Sequence, residues 1–186
     1  MKNLLSDYVK LYPGTVSADL CRRTIEDLTR NGEWEQHEWQ AYIGGEAHIL
    51  NGDNEPGTTT YVTNTNYEII ESLRDALMSY FIDVDCPWFG SWQGYSPPKY
   101  MRYEVGDFMS KHYDHIYELY GSGAPVLTII GSLNSDYEGG ELVLFDDTRY
   151  HLRQGDVIIF PSTFLYPHQV YPVTKGVRHS FVSWTN

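Results

Sequence analysis

Between residues 100 and 184 the chain repeats one pattern, a short run of aromatic and β-branched residues followed by a turn. The runs fall at 100–103, 126–133, 141–145, 157–160 and 177–184. Each is too short for a stable helix and has the composition that suits a pleated, half-buried surface. Gly139-Gly140, Gly155-Asp156 and Lys175-Gly176 stand between them, which predicts consecutive antiparallel strands joined by tight turns. Exposed strand edges invite aggregation, and a jelly-roll or cupin-like double sheet leaves few of them.

The first half reads differently. From Ser17 to Arg30, apolar Leu20, Ile25 and Leu28 precede Asn31-Gly32, which predicts a helix with a serine start and a glycine stop. Ile69, Leu73, Leu77 and Phe81 recur every four residues behind Asn66, which predicts a second helix over 66–81 with Asn66 as its cap and Glu68 and Glu71 complementing the dipole. The polar stretch 51–60 predicts a mobile loop. Its acids do not make a helix-loop-helix calcium site, because Val62 stands where the bidentate glutamate belongs. A length of 186 residues suits one domain, so the fold class is mainly β with flanking helices packed outside a double sheet.

Composition removes several function classes. Hydrophobic residues make up 41% and charged residues 20%, which excludes a disordered chain. A formal charge of -12 opposes binding to phosphate backbones and anionic membranes and favours a neutral or basic partner. Cys21 and Cys86 are the only cysteines, too few for a disulfide framework or a four-thiolate zinc site, so both read as free thiols. No signal peptide or membrane span is visible, and a cytoplasmic location is the expectation. A Walker loop, a Gly-x-Gly-x-x-Gly after a strand, a Gly-x-Ser-x-Gly elbow and a His-Glu-x-x-His helix are all missing; Gly121-Ser122-Gly123 reads as a loop.

What remains is His112-Tyr113-Asp114, with His168 on a later segment. Residues two apart on a strand project to one face, so the imidazole of His112 and the carboxylate of Asp114 converge. With His168 they make two histidines and one carboxylate, the facial set that suits non-haem Fe(II) because it leaves positions open for a chelating co-substrate and dioxygen. A His-x-Asp tripeptide alone carries little weight, and the surroundings decide. Tyr103-Glu104-Val105-Gly106 precedes it; Gly139-Gly140-Glu141-Leu142 and the run from Gly155 to Ser162 lie between it and His168; the finish runs from His168 through Lys175-Gly176-Val177-Arg178-His179-Ser180 to Trp184.

In these blocks, from about residue 100 to 184, the sequence resembles the 2-oxoglutarate and Fe(II)-dependent dioxygenases of the prolyl 4-hydroxylase group, especially the short microbial and viral members and the bacterial PKHD-type hydroxylases. The resemblance implies a double-stranded β-helix, with Fe(II), 2-oxoglutarate and dioxygen as cofactor and co-substrates. It makes His112, Asp114 and His168 the iron ligands and Arg178 the anchor for the distal carboxylate of 2-oxoglutarate, with Ser180 and Tyr103 as hydroxyl donors to that carboxylate. A planar guanidinium fork fits that task. The family often has threonine after Gly-Gly-Glu; Leu142 here replaces one polar contact by an apolar wall.

Residues 96–186 are then the catalytic core of a single domain, and 1–95 its helical and strand support and substrate-facing region. The implied substrate is a prolyl residue of a peptide or protein, neutral or basic. Alternatives on the same iron site are hydroxylation of a free amino acid or other small metabolite, and nucleic-acid dealkylation, which is disfavoured because Trp184 stands where such enzymes carry a second arginine. A non-catalytic jelly-roll binding module is the alternative of a different class. His115, His151 and His179 read as structural or exposed. Trp34, Trp39, Trp88, Phe89, Trp92 and Tyr95 read as packing in preference to a substrate groove.

Overall fold

The computed structural model describes residues 4–43, 46–50, 54–85, 94–114 and 125–185. Cys86, Trp88, Phe89, Trp92, His115 and Gly121-Ser122-Gly123 lie outside the described residues. In chain order the strands are β1 (Lys10–Tyr12), β2 (Glu35–Gln36), β3 (Trp39–Ile43), β4 (Glu46–Leu50), β5 (Gly57–Thr59), β6 (Lys99–Tyr103), β7 (Met109–His112), β8 (Leu127–Ser132), β9 (Glu138–Gly139), β10 (Leu142–Leu144), β11 (Thr148–Tyr150), β12 (Val157–Pro161), β13 (His168–Val170), β14 (Val173–Lys175) and β15 (Arg178–Thr185). The α-helices among the described residues are α1 (Ala18–Asn31) and α2 (Asn66–Asp83), and a 3-10 turn spans Leu5–Tyr8. Among the described residues no helix is long and apolar enough to cross a membrane.

Helix α1 starts where its sequence predicts. The Ser17 hydroxyl accepts from the Leu20 N–H at 3.2 Å, a cap whose loss costs about 1 kcal/mol. It stops at Gly32, whose N–H donates to Leu28; a Cβ there would sit 2.5 Å from that carbonyl oxygen. Helix α2 departs from expectation at its start. Asn66 is its first helical residue and Thr65 takes the cap position. The Asn66 side-chain oxygen instead accepts from the hydroxyls of Thr63 at 2.6 Å and Tyr100 at 2.5 Å, which ties the helix entrance to β6. A side chain serving a buried tertiary cluster is not free to cap its own helix.

One sheet has the order β1-β12-β8-β15-β6-β5-β2 and the other β11-β10-β13-β7, with β14-β9 and β3-β4 as separate ribbons. The pairs are antiparallel, and the expected double-stranded β-helix is borne out. Consecutive hairpins are not the rule. Gly155 connects β11 in one sheet to β12 in the other, and Gly176 connects a ribbon to β15. Both glycines hold the positive φ of a tight turn, but a jelly roll carries the chain across between its sheets, so the turns serve crossovers.

Strand alternation divides the interior into two layers. Val157, Ile159 and Phe181 face outward and pack with Leu20, Leu28, Ile69, Leu73 and Leu77 of the helices. Ile158, Phe160, Val182 and Trp184 face inward, between the sheets, with Met101, Tyr103, Leu142 and Leu144. Coverage on both faces explains why β12 is a continuous apolar run. Gly131 lies opposite Phe181, and a Cβ there would come within 2.1 Å of that ring.

The polar stretch expected to be a mobile loop is in part core structure. Thr58 and Thr59 are buried on β5, which pairs with β6, and Glu55 is only 3% exposed. Backbone pairing at the sheet's growing edge overrides the polar composition there. Trp34 and Tyr95 pack against the helix-facing core, as expected of aromatic packing residues. Cys21 is a buried free thiol.

Candidate active site

Strands β7 and β13 lie side by side with His112 directly opposite His168, and the two imidazoles stand 4.2 Å apart, centre to centre. His112 Nδ1 is 2.7 Å from the Ser110 carbonyl and His168 Nδ1 is 3.2 Å from the Tyr166 carbonyl. Donation of each Nδ1–H to its carbonyl leaves the Nε2 lone pair facing inward, the tautomer a metal ligand needs. The strand ends at His112, and Asp114 sits in the bend beyond it, so the convergence owes as much to that bend as to the pleat. Asp114 Oδ1 is 3.2 Å from His112 Nε2 and Oδ2 is 3.7 Å from His168 Nε2. Donors bonded at about 2.1 Å to one ion, at right angles, are about 3 Å apart, and the three ligand atoms here all lie within 4.8 Å of one another. The donor set fits a borderline first-row cation.

Two side chains orient the carboxylate. Thr128 Oγ1 donates to Asp114 Oδ2 at 2.8 Å, and Trp184 Nε1 donates to the same oxygen at 2.9 Å. Ser162 Oγ in turn lies 2.9 Å from Thr128 Oγ1. Burial opposes ionisation of Asp114, but His168, His112 and the Trp184 indole outweigh it and hold the carboxyl well below the usual range. Burial pushes His168 down to about 4, against the pull of Asp114. At His112 burial also opposes the charge, yet the hydrogen bond and charge of Asp114 leave it above the usual imidazole value. A bound cation would supply the positive charge that Asp114 draws toward the two imidazoles.

On β15, residues Arg178, Ser180, Val182 and Trp184 alternate onto the inner face. Arg178 is 1% exposed. One of its terminal nitrogens donates to Ser180 Oγ at 2.9 Å, which leaves the serine O–H to be given elsewhere. Its guanidinium carbon lies 4.8 Å from the centre of the Tyr103 ring, directly across on β6, and the Tyr103 hydroxyl donates to Met101 Sδ at 3.5 Å. Arg178 Nε has no hydrogen-bond partner, and among the described residues no carboxylate forms an ion pair with this arginine. The stem lies against Gly140: a Cβ there would be 3.0 Å from Arg178 Cδ and from Val173, at a φ of +64°. Leu142 is buried between the sheets, the apolar wall its sequence position implies.

The structure thus brings all six candidate residues, Tyr103, His112, Asp114, His168, Arg178 and Ser180, to one interior. His151 is exposed and His179 lies on the opposite face of β15, near Trp34, as read from the sequence. Sequence reasoning missed Thr128 and Ser162, and it used Trp184 only as a landmark. It also missed Glu55, whose Oε1 accepts from Ser110 Oγ at 2.6 Å while Oε2 is buried without a partner, and whose charge acts on both His112 and Tyr103. No local signal marks these four, because each reaches the site from a segment far away in sequence.

The profile of the family described as the 2OG-Fe(II) oxygenase superfamily matches residues 98–186. A PKHD-type hydroxylase of Delftia acidovorans is 38% identical over 100 residues, covering 48% of this chain and 43% of the relative. A PKHD-type hydroxylase of Paraburkholderia xenovorans is 38% identical over 96 residues, covering 47% and 41%. The chain therefore spans less than half the length of these curated relatives. Among solved structures, the viral collagen prolyl hydroxylase of Paramecium bursaria Chlorella virus-1 superposes with a TM-score of 0.68 at 17% identity, covering 100% of this chain and 93% of that one. A Trichoplax adhaerens prolyl hydroxylase, in complex with a hypoxia inducible factor oxygen degradation domain peptide fragment, gives 0.69 at 14% identity, covering 97% and 84%. Identities this low show the fold alone, whereas the family profile falls on the half that carries the triad and the buried arginine. Residues 98–186 thus match the 2OG-Fe(II) oxygenase superfamily, and about half of the chain is similar in sequence to PKHD-type hydroxylases.

Proposed function

We propose that the protein is an Fe(II)- and 2-oxoglutarate-dependent dioxygenase that hydroxylates a C–H bond, with a prolyl residue of a peptide or protein as substrate. One observation carries this reading: Arg178 is a fully buried guanidinium with an unpartnered Nε on the same strand face as the Asp114-binding Trp184. A buried cation without an anion is costly, and a dicarboxylate reaching from the metal to this arginine would relieve it. His112, Asp114 and His168 hold the iron. Arg178 binds the far carboxylate through its fork, Ser180 and Tyr103 turn their hydroxyl protons to it, and the walls of Met101, Leu142 and Val182 exclude water. The metal, when bound, supplies the oxidising chemistry, coupling loss of carbon dioxide from 2-oxoglutarate to delivery of one oxygen atom to the substrate and one to succinate.

The prolyl assignment draws on the PKHD-type and prolyl hydroxylase relatives. Residues 1–95, which add β2 and β5 to the sheet beside β6, are assigned to substrate choice. A cytoplasmic location completes the reading and suits the free thiol of Cys21. Mass spectrometry of a peptide library incubated with enzyme, Fe(II), 2-oxoglutarate and oxygen tests it. The expected result is a gain of one oxygen on prolyl residues that depends on 2-oxoglutarate; a well-folded protein that binds no 2-oxoglutarate in the presence of Fe(II) would refute it.

Gly140 gives a further test of the co-substrate pocket. In Gly140→Ala the new methyl meets Arg178 Cδ and Val173, on backbone that costs an L-residue about 1–2 kcal/mol. The dissociation constant for 2-oxoglutarate should rise about tenfold while Fe(II) binding holds, both measured by calorimetry. Unchanged 2-oxoglutarate affinity would show that Gly140 does not shape the arginine's position.

A further inference from the structure

At the other end of β6 from Tyr103 stands Lys99. Residues 99, 101 and 103 share one strand face, and Met101 and Tyr103 of that set line the interior between the sheets, so the Lys99 side chain leaves β6 on the side that faces the interior holding the metal site. Its ammonium lies 3.4 Å from His37 Nδ1. Both groups sit within the electrostatic reach of the triad: Asp114 acts on Lys99 and His37, and His112 acts on His37. Lys99 and His37 line a groove with Glu35, Gln36, Glu38 and Thr58.

The charge arrangement in this groove is lopsided. Lys99 is half-buried, and burial pushes it below the usual lysine range, with Asp114 opposing. Among the described residues no carboxylate lies at ion-pair distance from its nitrogen, and Asp114 is already committed to Thr128, Trp184 and the two histidines. Glu35 and Glu38 are exposed at the rim, where solvent screens them. A partly desolvated ammonium gains most from an anion brought in with the ligand.

We propose that Lys99, steadied by His37, is a specificity-determining residue that receives a carboxylate of the substrate at the mouth of the metal site. The inference rests on the hydroxylase reading but not on its peptide part: the substrate carries a carboxylate at the reacting end, as a free amino acid or the C-terminal residue of a peptide does. Net charge gives the opposite expectation for the partner, because it counts the exposed rim glutamates equally with the half-buried Lys99.

Titration of the full chain with L-proline, with a peptide ending in proline, and with the carboxamides of both tests this, with 2-oxoglutarate present and binding read by saturation-transfer NMR. The wild type should bind the acids at least tenfold more tightly than the amides. Lys99→Met should reduce that preference below twofold, and Lys99→Arg should restore most of it, with melting temperatures confirming that the variants are folded. Stronger binding of the free acid than of the peptide acid identifies a small-molecule substrate, and the reverse order a chain terminus; either supports a carboxylate receptor. Equal binding of acids and amides, binding of neither, or a preference that survives in Lys99→Met overturns it. Binding of 2-oxoglutarate, governed by Arg178 and measured in the same samples, separates the two failures: its loss refutes the hydroxylase reading, whereas its persistence without acid preference refutes only the role of Lys99.

Discussion

Asp114→Ala should yield a folded protein that has lost Fe(II) binding and, with it, 2-oxoglutarate turnover. The carboxylate is the only anionic donor of the triad, so its removal leaves two neutral imidazoles on adjacent strands to hold a dication. Changes in the outer shell of metal sites alone cost roughly 10–100-fold in affinity; loss of a ligand here should exceed that, and succinate formation should fall by about three orders of magnitude or more. The effect on stability has opposing parts. Thr128 Oγ1 and Trp184 Nε1 lose the oxygen they share, a loss of about 1 kcal/mol per hydrogen bond, though Thr128 keeps Ser162 as a partner. The folded state, however, no longer carries a buried carboxylate whose desolvation opposes folding. The sheets are held by packing elsewhere, so the melting temperature should move by a few degrees while metal affinity collapses. Calorimetry with Fe(II) under anaerobic conditions and succinate release check the two halves; a folded variant that makes succinate at the parent rate would show the triad to be misassigned.

That such a site could be read before any coordinates follows from how it is built. His112 and Asp114 are two residues apart, and Arg178 and Ser180 alternate onto one face of one strand, so strand geometry alone makes each pair converge. His168 was found through the family's block order, and Arg178 through its place after His168; the structure sets His168 directly across from His112. The strand runs were equally legible, because β12 is apolar on both faces and β15 alternates arginine, serine, valine and tryptophan inward.

Partnership between distant segments was not legible. No rule of composition tells β12 to pair with β1 and β8, or turns Gly155 into a crossover instead of a hairpin. Asn66 looked like a cap because its neighbours in sequence allow it; Tyr100, 34 residues away, claims the side chain. Glu55 looked solvated because its neighbours in sequence are polar, yet Ser110, 55 residues on, holds it in the interior. Lys99 follows the same logic. A net charge of -12 describes the long-range field, which falls off within about 10 Å at 0.1 M salt, whereas a substrate in the proposed groove would meet local groups, of which half-buried Lys99 is positive.

Arg178→Lys separates charge from shape in the co-substrate pocket. The substitution retains a cation but loses the planar fork, and with it the paired hydrogen bonds that only a guanidinium can give a carboxylate. A charge-assisted hydrogen bond contributes about 1.5–3 kcal/mol, so the dissociation constant for 2-oxoglutarate should rise roughly 10–150-fold, while Fe(II) binding, which depends on other side chains, should hold. A second signature follows from burial. The site is 1% exposed, and a lysine there is pushed toward its neutral form, whereas an arginine stays charged. The neutral amine cannot attract a carboxylate, and lowering the pH restores the ammonium. Relative to the parent at each pH, with Fe(II) saturating in both, the variant's 2-oxoglutarate affinity should therefore improve as pH falls from 8.5 to about 6.5, through the lowered lysine pKa. Calorimetric titrations at several pH values read both effects; an unaltered dissociation constant would place the carboxylate anchor elsewhere, and a weakened but pH-independent one would mean that the substituted ammonium reaches solvent and that the pocket is more open than its geometry shows.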